Sequence, residues 1–170
     1  MNGLLVTLRL VHIGGGILWV GFAVFMVVIL GPALERMGPD GSKVMPAIGP
    51  RLHTTIMPLI ATLTLLSGFG LYWIMSDGLS SAYVHSVSGM TFGFGGLAAL
   101  TAFLIGLILI KPAMTKAMAL GQALGSAPTE QQAAIGSEAR RHRDRALRGS
   151  KVATALLLVA TACMAVARYL

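Results

Sequence analysis

The chain has 170 residues, of which 55% are hydrophobic and only 11% charged, with a net charge of +7. A soluble domain carries about 25% charged residues, so this composition excludes an ordinary water-soluble globule and points to an integral membrane protein. The basic excess (pI near 10.4) comes without the aromatic or motif signature of a nucleic-acid binder, and no nucleic-acid partner is expected.

Four apolar stretches follow in order: Leu4–Leu30, Thr54–Met75, Met90–Ile110 and Val152–Leu170. A hydrocarbon core of about 30 Å takes roughly 20 helical residues, and each stretch supplies about that many. The first is too long for a signal-peptide core of about 7–15 residues and lacks a small-x-small cleavage site, so it reads as a retained helix. The first loop, GPALERMGPDGSKVMPAIGP (31–50), is a turn-rich connection whose later part, from about Lys43, could already be helical. The second loop, SDGLSSA (76–82), is short and makes its flanking helices antiparallel neighbours. The third, 120–150, opens with small residues and then becomes helix-forming. There Thr129 followed by Gln132 fits a capping box. The expected spans are 4–30, 52–76, 85–112 and 150–169, the last extending inward from about 129. The expected fold is all-α: one transmembrane domain, an up-down-up-down four-helix bundle.

All but Arg9 and Arg168 of the thirteen Lys and Arg residues lie between the first two or between the last two apolar stretches. Basic residues concentrate in cytoplasmic loops, which puts both termini outside a bacterial inner (plasma) membrane, with the lipid bilayer as first partner. Attraction to anionic lipid would strengthen that bias. The single cysteine, Cys163, forms no disulfide framework.

The four histidines, His12, His53, His85 and His142, fall one to each helix or helix extension. Ionisable groups in membrane spans are costly and usually face the bundle interior, where they mark functional paths. A plainer reading makes each a neutral imidazole bonded to a neighbouring helix. Counting about 1.5 Å per residue puts His12 and His85 in the outer half and His53 and His142 in the inner half. In an up-down bundle each pair lies on diagonal helices, the geometry of a bis-histidine haem.

In VHIGGGILWVGF (11–22), His12, Gly15, Gly16 and Trp19 share one helical face. His85, Gly89, Gly93 and Gly96 form a second such line. A flat porphyrin needs bare backbone beside its ligand, and Trp19 could pack on its edge. Gly89-x-x-x-Gly93 is equally an ordinary helix-packing motif, which would serve a structural bundle or a homo-oligomer. For a second, inner haem, Arg51 and Arg141 are candidate propionate clamps, against a solvated basic face as the plainer reading of the 138–148 run. One haem or two therefore remain open. The ten methionines include no M-x-M cluster and read as core filler, with His53 and Met57 the only local pair.

His12, the Trp19-Val-Gly21 signature and Pro32 resemble the copper-resistance protein D-like membrane family. LLSGFGLYW (65–73), GLILIKPAM (106–114) and MAVARYL (164–170) look like its small members. The His-x6-Trp-x-Gly spacing is also similar to that of the haem-containing J-type protoporphyrinogen oxidases, and that resemblance implies His12 as an axial haem ligand. Two functions are expected in order. The first is a small b-type cytochrome with haem b, an outer one ligated by His12 and His85 and an inner one served by His53, alone or with His142, exchanging electrons with a quinol or a redox protein. The second is a copper-handling or complex-assembly membrane protein without redox haem.

Overall fold

A computed structural model describes residues 3–38, 44 and 51–170, without the side chains of 53 and 54. The expected helical start near Lys43 lies outside the described residues. The described elements are α1 (Gly3–Arg36), α2 (Met57–Met75, preceded by a π-helical turn at Leu52–Ile56), the short α3 (Ser81–Val84), α4 (Val87–Leu124) and α5 (Thr129–Tyr169). No strand occurs among them. Four of these helices are long and apolar enough to cross a membrane, and the chain is a multi-pass, all-α four-helix bundle. α1 packs on α2, α2 on α4, α4 on α5 and α5 back on α1. α1 and α4 are therefore diagonal, as are α2 and α5.

The side chains are arranged as lipid solvent demands. Large apolar groups point outward: Leu10 is 70% exposed, Ile17 67% and Ile108 73%. The interior instead holds small residues, among them Ala61, Ala98, Ala102, Ala153 and Ala160, with Leu157 the one large hydrophobic buried among the described residues. Lipid tails are as apolar as leucine, so helix association rests on close van der Waals approach, which small residues permit. At Gly95 an added Cβ would lie 2.8 Å from Cys163 Cβ, and at Gly149 it would collide with the Leu109 side chain.

Three helices share a feature that hydropathy alone does not show. π-helical turns at Phe25–Leu30, Leu52–Ile56 and Gly106–Ile110 each lead directly into a proline: Pro32, Pro58 and Pro112. A proline has no N–H and its ring clashes with the carbonyl four residues back. The chain answers by widening one turn. The residue before each proline donates five residues back instead of four: Gly31 to Met26, Met57 to Leu52 and Lys111 to Gly106. The helices thus continue through their prolines, and α1 and α4 extend beyond the expected ends at 30 and 112.

Two other expectations are corrected. Thr129 is the first helical residue of α5, the N-cap is Pro128, and no side-chain cap bond forms. Gln132 donates instead to the Ala127 carbonyl at 3.0 Å, so the capping box is absent. α4 starts at Val87 rather than 85, because Ser86 caps it by accepting from the Gly89 N–H at 3.0 Å.

α5 rises about 57 Å over its 38 α-helical residues, so its first half projects past the lipid. There Lys116 pairs with Glu138 at 3.1 Å, fixing the end of α4 against the projection. The Lys116 hydrogen bond, then its charge, hold the Glu138 carboxyl below the usual 4.5. That tether acts above the unfolded carboxylate value and is lost as pH falls through the lowered folded one. An NMR titration should therefore place the Glu138 midpoint lower in the native chain than in Lys116→Ala.

Candidate functional site: the His12 seat and a proline-ringed groove

His12 faces α2. Its Nδ1 lies 2.8 Å from the Thr64 carbonyl oxygen, and a carbonyl only accepts, so Nδ1 carries the proton. The ring fits because position 68 has no side chain: a Cβ on Gly68 would stand 2.6 Å from His12 Cε1. One turn on, Gly15 closes against Thr64, whose hydroxyl would overlap any Cβ there. Thr64 turns that hydroxyl to Ile60 O at 2.8 Å, while Ser67 Oγ lies 3.1 Å from the Thr64 carbonyl. Among the described residues no hydrogen bond engages His12 Nε2, which keeps its lone pair. A histidine ligand is commonly set in this way, one nitrogen donating to a backbone carbonyl and the other free to coordinate.

An aromatic contact fixes which part of α4 stands level with His12. Trp19 and Phe103 meet edge to face with centroids 6.3 Å apart. His12 lies seven residues before Trp19, and Gly96 seven before Phe103. Seven residues are close to two turns, so His12 and Gly96 occupy one level on the faces that carry that aromatic contact. A Cβ at Gly96 would meet nothing within 4 Å. Gly16 is nearly as open, with Thr64 Cγ2 at 4.0 Å. Gly89 is different, since Tyr83 backbone fills its Cβ position and Tyr72 donates to its carbonyl at 3.1 Å.

The other histidines stand apart. Val87 is sixteen residues before Phe103, which puts the start of α4, and His85 beyond it, about 13 Å past the His12 level. His85 is exposed, and its Nδ1 donates to the Ser81 carbonyl within its own turn at 2.8 Å. His12 and His85 are therefore not brought face to face. Sharing the outer half of the bundle does not put the two imidazoles at one level. The inner pair is also offset. Thr64 beside Gly15 sets His53 level with Met26, and Thr154 Oγ1 at 3.4 Å from Ala23 O sets that level near Lys151. His142 is nine residues, about 13 Å, further along α5. It is half-buried, 3.8 Å from Glu138. Arg51 and Arg141 are both exposed. No group of three or more His, Cys, Asp or Glu gathers among the described residues.

A groove of about 170 Å³ occupies the half of the bundle away from the termini and touches all four spanning helices. On α4 its wall runs from Ala102 through Gly106, Ile110 and Met114 to Met118. The π turns of α1 and α4 line it through Met26, Val27, Gly106, Leu107 and Ile110, and α2 lines it through Met57 and Pro58 just after its own π turn. Four methionines scattered in sequence, Met26, Met57, Met114 and Met118, come together here. Sequence reasoning missed this grouping, as it missed Gly68 as the seat of His12. The usable signal for the groove was the proline at the same depth in three helices. Comparison with protein-family models, curated proteins and solved structures finds no match for this chain.

Proposed function

We propose that the chain is a small haem b protein of the bacterial inner membrane, passing electrons between a quinol or a protein donor and an acceptor, with His12 as its axial ligand through Nε2. The observation that carries this reading is the His12 ring itself, held by Nδ1–H on the Thr64 carbonyl at 2.8 Å with its second nitrogen unengaged among the described residues. The open backbone at Gly96 supports it, since a planar cofactor needs a bare helix opposite its ligand. The haem would supply the one-electron chemistry. The chain contributes the ligand's orientation, the apolar surroundings and the exclusion of water, which are the levers that set a haem potential. His85, in its own turn, is not part of this site.

The test is a dithionite-reduced minus oxidised spectrum of the detergent-purified protein, with a pyridine haemochrome assay. The native chain and His85→Ala should show b-type bands at about one haem per chain, and His12→Ala should lose at least nine-tenths of them. A flat native spectrum after expression with ample haem, or full haem content in folded His12→Ala, would sink the proposal. Stoichiometric copper in a haem-free native chain would point instead to copper handling.

A further inference from the structure

The groove in the basic half has the shape and charge of a lipid site. Its wall on α4 from Ala102 to Lys111 covers nine residues, about 14 Å, which is half of a hydrocarbon core of about 30 Å. A groove that runs this far along the helices and is lined on all sides by apolar groups suits a polymethylene chain. The walls are aromatic and thioether groups, and flexible methionines adapt to irregular apolar guests. The opening is built in rather than incidental. π turns widen three helices at this depth, each dictated by a proline two residues on.

Charge enters at one level only, and the lining hydroxyls of Thr154 and Thr115 are spent on the Ala23 and Lys111 carbonyls. Lys111 lines the groove where the apolar run of α4 stops, and it forms no ion pair among the described residues. Ser150 lines it from α5, with no hydrogen bond to its hydroxyl among the described residues. An ammonium and a hydroxyl with donors to spare, at the boundary of an acyl-length slot, recognise a phosphate head above a chain. The exposed Arg145, Arg148 and Lys151 nearby on α5 reinforce the positive potential. Basic loops face the cytoplasm, where the leaflet is the anionic one, and basic pockets between helices on that side bind anionic head groups. We infer that this groove binds one anionic glycerophospholipid of the cytoplasmic leaflet, its chain between α1, α2, α4 and α5 and its phosphate on Lys111 and Ser150.

Trp19 lines the deep end of the groove, and the second tryptophan, Trp73, ends α2 at the opposite face of the membrane. In a Trp73→Phe background, Trp19 fluorescence reports what enters. The protein is placed in bilayers doped with chain-brominated phosphatidylglycerol or chain-brominated phosphatidylcholine, since bromine quenches tryptophan on contact. Phosphatidylglycerol should reach half-maximal quenching at about fivefold lower mole fraction, as expected for one cation at the membrane surface. Lys111→Gln should bring that curve onto the phosphatidylcholine curve, while Lys116→Gln should leave it in place. Equal quenching by the two lipids in the native groove, absence of quenching by both, or an undiminished preference in Lys111→Gln overturns the assignment. Because haem on His12 would itself quench Trp19, the titration is run in a His12→Ala, Trp73→Phe chain, so this result and that of the haem test stand separately.

Discussion

Gly68→Val should cost the bundle about 1–3 kcal/mol, the usual range for forcing extra atoms into a packed interior, and should do so only while His12 is present. The Cβ it adds would lie 2.6 Å from Cε1 and 2.8 Å from Nδ1 of the imidazole, so the ring must leave its place. With the ring goes its bond to Thr64 O. In His12→Ala the same valine finds vacated volume, and its cost should fall to a few tenths of a kcal/mol, a large coupling of the kind contacting residues show. Reversible unfolding of the four members of the cycle in mixed micelles measures this. Equal costs in both backgrounds would mean that Gly68 is needed for something other than seating the imidazole. On the functional reading Gly68→Val should also lose the haem while the helices remain formed.

The second large effect belongs to the α4–α5 seam. A side chain at Gly149 would run into Leu109 and stand 3.1 Å from Ile110 Cγ1, both on the π turn of α4. Gly149→Leu should destabilise by at least the same 1–3 kcal/mol, because the turn cannot yield without moving the proline step after it. Adding Leu109→Ala should recover roughly half of the loss. The control is Gly121→Leu, at a position whose Cβ meets nothing within 4 Å, and it should be close to neutral. A Gly149→Leu variant as stable as the native chain would show that the seam is looser than its contacts imply.

The number of spans and their antiparallel order were readable from the sequence. In lipid every backbone donor must be satisfied within its own segment, so a run of about 20 apolar residues leaves few alternatives to a helix. Short loops then impose the neighbours: the five residues between α2 and α3 cannot carry the chain to the far side. The single-residue features were less readable. Thr129 and Gln132 have the right spacing for a capping box, but the proline before them fixes a backbone that already starts the helix. The prolines were visible, yet whether each stops a helix or opens a π turn depends on neighbouring helices that support the widened turn.

Of the candidate site, one residue was legible and its partners were not. His12 in an apolar span, followed by glycines and a tryptophan on one face, announces a special position. Which helix that face meets is a tertiary fact. Thr64 and Gly68 are 52 and 56 residues away, and helical periodicity says nothing about them. Pairing histidines by depth failed because it asked only which half of the membrane each occupies, and nine residues at about 1.5 Å each still separate the His12 level from the start of α4. The methionines show the same limit, since four isolated side chains share a groove only after three helices are laid side by side. By itself the sequence determined a basic, four-span helical membrane bundle with a histidine inside its first helix. The tertiary structure decided what that histidine touches and that three prolines open one groove, because contacts between helices depend on relative rotation and height, which no single helix encodes.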